Sequence, residues 1–284
     1  MSISNKQRFP NHFLLIGLLS FIISFDTSAN SDLSFSDSTK QNPKRNYFGS
    51  YLSDAGYLYS APIRWKAKDW LKFGAFTASG IGLYQLDDNI QQWTLDNRND
   101  LSHDISSGFE KLGNTSSTSI ALGGALIVGL ITEDEKVQDV TLLALKSSLL
   151  SGLLAQTIKN IAHRARPNAG LGKDSWHGPK IGGKHKAWPS GHTTTAFALA
   201  TTFAQIYKDK KWVPISSYSL ATLAGVSRLH DNKHWATDVF AGAVLGYFSA
   251  KGILANEKRN NRNFVFAPFY FGEATGISVA IMLN

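Results

Sequence analysis

Cysteine is absent from this chain of 284 residues. That excludes disulfides, thiolate zinc sites and cysteine nucleophiles together, and leaves the redox compartment open. Metal signatures are also missing. The polar segment carrying Asp87, Asp88, Asp96, Asp100 and Asp104 lacks the glycine-containing spacing of an EF-hand loop and reads as a solvated connection. There is no helix-turn-helix, zinc or RNA-binding signature. The net charge of +8 and pI near 9.5 therefore point to phosphorylated substrates or acidic lipid surfaces rather than nucleic acid. Long apolar runs are scarce too. Residues 112–132 are uncharged over 21 positions. The other charge-free runs inside expected helices last about eleven to seventeen residues, short of the ~20 that a bilayer span requires. With a mean hydropathy of −0.14, this favours a secreted helical domain resting on a membrane over a polytopic protein. No internal repeat occurs.

An apolar content of 43%, with 12% aromatics, is enough for a packed core. Lys6 and Arg8 precede an apolar run from Phe13 to Phe25, and Thr27-Ser28-Ala29 follows as a small-residue cleavage site. Residues 1–29 therefore read as a signal peptide, with an uncleaved anchor as the alternative. That points to export across the inner membrane, to a periplasmic or membrane-associated location. Residues 30–60 are rich in Ser, Asp and Asn and read as an extended polar leader. Ser60-Ala61-Pro62 marks a helix start, and Trp65, Lys66, Lys68, Trp70 and Lys72 beyond it suit a membrane interface as well as an ordinary amphipathic helix.

The expected fold is mainly α, a helical bundle over residues 61–256. A Gly/Ala-rich helix covers about 71–86. Thr132-x-x-Glu135 resembles a capping box that opens a long helix, ending at Arg166-Pro167 because the residue before proline leaves the helical region. A basic loop with five glycines covers 168–188, and helices follow at about 191–208, 213–228 and 234–254. Residues 257–284 form an extension in which Phe264–Phe271 and Ile277–Leu283, separated by Gly272–Gly276, read as a short β-hairpin, with Pro268 placing its first strand at an edge.

Three segments carry the chemistry: Lys159-x6-Arg166-Pro167, Pro189-Ser190-Gly191-His192, and Ser227-Arg228-x5-His234-x3-Asp238. Together they supply three fixed cations, two histidines, one carboxylate and a Ser-Gly turn. Phosphoryl transfer needs the same kit: positive charge on the equatorial oxygens, an in-line nucleophile, and an acid for the leaving oxygen. Lys159 and Arg166, seven apart, share a face if the helix runs through both. His234 and Asp238, four apart, also share one.

The three motifs, in this order, resemble the type 2 phosphatidic acid phosphatase and vanadium haloperoxidase superfamily. The resemblance covers about residues 60–256. It implies that His234 is the nucleophile forming a phosphohistidine, that Asp238 orients it, and that His192 is the general acid. Lys159, Arg166, Ser190, Gly191 and Arg228 would bind the phosphate, and no metal or cofactor is required. The implied activity is metal-independent hydrolysis of a phosphorylated, lipid-like substrate. A vanadium-dependent haloperoxidase, a soluble non-specific acid phosphatase and a non-catalytic phosphate-binding protein are the alternatives. A membrane surface is a candidate partner, nucleic acid is not, and no oligomeric state is assigned. His163, His230, His177, His185 and Arg164 match no motif position and receive no role.

Overall fold

The computed structural model describes residues 47–263 except 181–182, together with 265–271 and 274–280. The expected signal segment and most of the leader lie outside those residues. The leader's last part departs from expectation, since Tyr47–Tyr59 is a helix, α1. It docks through Leu58 against Leu150 and Ile253, with Tyr51, Ala55 and Leu143 packed around them. Apolar burial on one helical stripe overrides the polar composition of the segment as a whole.

A 3-10 turn at Ala61–Arg64 takes the place of a full helix start. It is followed by α2 (Ala67–Gln85), α3 (Asp87–Asp96), α4 (Asp100–Glu110), α5 (Thr115–Ile131) and α6 (Glu135–Ala162). The aspartate-rich segment is thus two helices, not a solvated connection, and Asp87 is buried. Asn114 caps α5 by accepting hydrogen bonds from Ser116 N and Ser117 N at 3.0 and 3.1 Å. At α6 the expected capping box is not the one used. Asp134 is the N-cap and accepts from Val137 N at 3.0 Å. The helix then stops at Ala162 because His163 turns left-handed, with φ 45°, a C-terminal stop more often made by glycine. Arg166 therefore sits four residues beyond the helix, in extended backbone before a second 3-10 turn at Pro167–Ala169. It does not share a helical face with Lys159.

Three helices complete the bundle: α7 (Gly191–Ile206), α8 (Trp212–His230) and α9 (Ala236–Asn263). Helix α7 is central and packs against α6, α8 and α9. Its approach to α9 is close enough that a Cβ at Gly242 or Gly246 would run into the carbonyl oxygens of Ser190 and Thr194. This sets the N-terminal ends of α7 and α9 side by side. Beyond α9, β1 (Val265–Phe271) and β2 (Ala274–Ala280) pair antiparallel, from Val265↔Ala280 to Phe271↔Ala274. The second strand begins earlier than the expected run and takes in Gly276, while the last residues of that run lie outside the described ones.

Two helices, Glu135–Ala162 and Ala236–Lys258, are long and apolar enough to cross a membrane. Counting charge-free runs missed the first because Lys146 and Lys159, which interrupt it, are buried. Lys146 is 1% exposed and pairs with Asp54 at 2.8 Å and Glu257 at 2.5 Å. Lys159 is buried against the loop before α7.

Candidate active site

The motif residues meet where α7 and α9 begin and where α6, α8 and α4 end. Helix N-termini carry unpaired amides and partial positive charge, so this corner of the bundle favours an anion before any side chain is counted. Ser190 is the N-cap of α7. Its backbone N donates to Asp238 O at 2.8 Å, which ties the second motif to the third. Its hydroxyl accepts from Thr193 Oγ1 at 2.9 Å. Gly191 opens α7, and the Cβ it lacks would lie 3.6 Å from the Lys159 side chain. Lys159 Nζ donates to Lys186 O at 2.6 Å, so the end of the glycine-rich loop fixes the lysine's position beside the α7 start.

His234 precedes α9 instead of lying on it, while Asp238 is in the first turn. The imidazole is 5% exposed, and its Nδ1 lies 3.4 Å from Asp238 Oδ2. That leaves Nε2 as the ring's other reactive atom. The Asp238 carboxylate is fully buried. Oδ2 accepts from Trp235 N at 2.9 Å, and Oδ1 accepts from Arg164 Nη1 at 2.7 Å. Burial pushes His234 down to about 4 against the pull of Asp238, with Lys159 and Arg166 adding to the push. Burial and Arg228 likewise push His192 to about 4. Arg166 is lowered by burial and by Arg228.

Four side-chain nitrogens in this cluster are buried without a hydrogen bond: Arg166 Nε, His192 Nε2, Arg228 Nη1 and His234 Nδ1. Buried donors are almost always satisfied. Arg228 Nη1 faces the Glu110 carboxylate at 2.7 Å and His234 Nδ1 faces Asp238 at 3.4 Å, while Arg166 Nε and His192 Nε2 stand unsatisfied beside them.

Several residues of the site carried no signal in the sequence. Arg164 is 0% exposed. Besides Asp238, it donates to Asp87 Oδ2 and Thr237 Oγ1, each at 2.7 Å, and to Lys173 O at 3.2 Å. The rings of Tyr84, Trp176 and Trp235 surround its guanidinium carbon, with centroids at 5.0, 4.9 and 5.3 Å. Asp87 in turn accepts from Thr237 N and Oγ1 at 3.0 and 2.6 Å, and burial raises its pKa. A buried cation thus locks the Asp238 carboxylate between α3 and α9. Glu110, at the end of α4, lies 2.7 Å from Arg228 Nη1, and Asp231 Oδ2 accepts from Arg228 Nη2 at 2.6 Å.

Of the histidines given no role, His163 is buried with Nδ1 3.0 Å from Asn160 O. His177 and His185 stack with ring centroids 4.4 Å apart. Among the described residues, one group has ligand atoms close enough for a metal ion: His103, His230 and Asp231, within 4.8 Å of one another. Asp231 already serves Arg228, and accepts from Ser106 Oγ at 3.1 Å. His230 Nε2 lies 3.0 Å from Ser102 Oγ. The group is a polar network beside the site, not a built metal centre.

Residues 141–262 match the family model described as the PAP2 superfamily, and this stretch of the chain is a PAP2 superfamily domain. A lipid A 1-phosphatase of Porphyromonas gingivalis is 46% identical over 61 residues, 21% of this chain and 14% of the relative. A probable lipid phosphate phosphatase of Arabidopsis thaliana is 33% identical over 135 residues, 37% of this chain and 43% of the relative. The chain thus spans less than half the length of these two curated relatives. The solved structure of a transmembrane PAP2 type phosphatidylglycerolphosphate phosphatase from Bacillus subtilis aligns over 75% of this chain and 94% of the other, at 23% identity and a TM-score of 0.48.

Proposed function

We propose that this protein is a membrane-associated phosphohydrolase that removes phosphate from a phosphorylated lipid through a phosphohistidine intermediate. The observation that carries the reading is the convergence of Arg166, His192, Arg228 and His234, with Arg166 Nε and His192 Nε2 buried and unpaired and His234 Nδ1 against Asp238. Binding alone would call for the arginines. It would not call for two histidines, one of them held against a buried carboxylate.

In this reading Lys159, Arg166, Arg228, Ser190 and the Gly191 amide hold the phosphate oxygens. Asp238 faces Nδ1 of His234, so the Nε2 lone pair attacks phosphorus and an N–P bond forms. As the P–O ester bond breaks, His192 gives its proton to the leaving oxygen. Water then attacks phosphorus, His192 takes a proton from it, the N–P bond breaks and inorganic phosphate leaves. Asp238 stabilises the imidazolium formed at His234, and Arg164 and Asp87 keep Asp238 in place. A low pKa suits His234, which attacks as the neutral ring. His192 acquires its proton when the dianionic phosphate arrives, since a negative charge within a few ångströms favours the imidazolium.

A lipid substrate is supported by the names of the relatives and by the outer surface. Ile120 and Ile131 on α5 are 76% and 78% exposed, and Trp212 and Ile215 on α8 are 68% and 70% exposed. Large apolar side chains left in solvent on two helices fit a membrane or partner surface. The test is a panel of phosphorylated lipids and soluble phosphate esters, assayed in detergent with excess chelator. The expected result is release of phosphate from lipids in preference to soluble esters, undiminished by the chelator. Activity lost on chelation and restored by zinc or magnesium would reject this mechanism in favour of a two-metal one.

A further inference from the structure

The carboxylate of Glu110 belongs to none of the three motifs and lies outside residues 141–262, yet it reaches into the cluster that the motifs build. Its Oε1 is 2.7 Å from Arg228 Nη1 and 3.7 Å from His192 Nε2. The Glu110 side chain is 37% exposed and that of His192 31%, while Arg228 between them is 4% exposed.

Two features argue that this placement is built. Glu110 is the last residue of α4, where the helix macrodipole is negative and an anion is disfavoured. Nothing in the local helix rewards it, and its compensation comes from Arg228 across the site. Secondly, the turn that follows is clamped onto the motif histidine. A Cβ at Gly113 would come within 2.5 Å of His192 O and 2.9 Å of His192 C. The backbone leaving α4 therefore runs against the backbone of His192, and the separation of their side chains is set by packing.

Glu110 and Arg228 also line a cavity of about 540 Å³, together with His103, Ser107, His230 and Lys233.

We propose that Glu110 is a positioning residue for His192, its carboxylate facing the Nε2 edge of the ring and favouring the imidazolium that donates to the leaving oxygen during P–O cleavage. This rests on the phosphohydrolase reading above. The charged groups facing His192 are Arg228, Lys159 and Arg166, which oppose its protonation, and Glu110, which favours it. When the proton passes from His192 Nε2 to the leaving oxygen, the positive charge beside Glu110 disappears, and the same carboxylate favours reprotonation when His192 accepts a proton from water.

The role predicts a dependence on leaving group that a structural role would not produce. General acid catalysis contributes roughly 10²–10⁴-fold where the leaving group needs a proton. Glu110→Gln should therefore lower kcat for an alkyl phosphate on the order of 10-fold or more and leave the first-turnover burst of p-nitrophenolate nearly unchanged. The alkaline limb of the kcat profile should move to lower pH, since removing a negative charge lowers the pKa of His192. Glu110→Asp, which keeps the charge, should recover part of the alkyl phosphate rate. Equal losses with both substrates, a rise in rate with both, or an Asp variant as defective as Gln would overturn the proposal. A wild-type enzyme that hydrolyses neither ester and no phosphorylated lipid would instead overturn the phosphohydrolase reading beneath it.

Discussion

His234 and His192 each rest near a pKa of about 4, pushed there first by burial and then by the surrounding cations. In the unfolded chain both return to about 6.5. Between those values the unfolded state binds more protons than the empty folded one, so folding stability is full above about pH 6.5 and declines as pH falls toward 4. Asp87, whose pKa is raised by burial, works in the opposite sense, so the histidine contribution is read as a difference. The melting temperature of the substrate-free protein should fall between pH 7.5 and 5, and His192→Ala should show a smaller fall than wild type. An identical fall in both would show that His192 titrates normally. At this scale the motifs were legible because each is a short local pattern of chemically specific residues. Arg164 was not, although it stands two positions from Arg166. Its carboxylate partners are 74 and 77 residues away in the chain, and a cation between two buried acids looks in sequence like any surface arginine. Glu110 was missed for the same reason, since its partners lie on α7 and α8.

Helices impose a second kind of order. The centre of α7 and the first turns of α9 follow from their apolar faces and the Ser190 cap, and their positions were readable within a few residues. The end of α6 was not. A left-handed histidine is an uncommon stop, so proline four residues later was the visible signal, and the Arg166 site was placed on a helix that had already ended. The polar attachment of α1 was equally hidden. Lys146 on α6 is enclosed by Asp54 and Ser50 from α1 and Glu257 from α9, at 2.8, 2.9 and 2.5 Å, and Asn256 Nδ2 donates to Asp54 Oδ1 at 2.7 Å. Removing one partner of a buried ion pair leaves the others uncompensated and costs about 3–5 kcal/mol. Lys146→Ala should therefore destabilise the protein by roughly that amount, measured by denaturant unfolding in detergent. A change below about 1 kcal/mol, the scale of an exposed pair, would mean that α1 is not held through this cluster.

Among the described residues, several charges are buried while large apolar side chains such as Ile120, Ile131, Trp212 and Ile215 face outward. A helix that buries a lysine among carboxylates can keep its lipid-facing side apolar while its sequence shows interrupted runs, which is why length and burial together, not run length, identify Glu135–Ala162 and Ala236–Lys258 as membrane-length helices.

The central claim is the division of labour between the two histidines, and one comparison tests it. His234→Ala and His192→Ala are assayed side by side with p-nitrophenyl phosphate, whose leaving group departs without a proton, and with an alkyl phosphate, whose leaving group cannot. The account predicts that His234→Ala abolishes turnover of both, because no N–P bond can form. His192→Ala should keep the first-turnover burst of p-nitrophenolate and lose cleavage of the alkyl phosphate by the roughly 10²–10⁴-fold typical of a missing general acid. Loss of that burst in His192→Ala as complete as in His234→Ala would contradict the assignment.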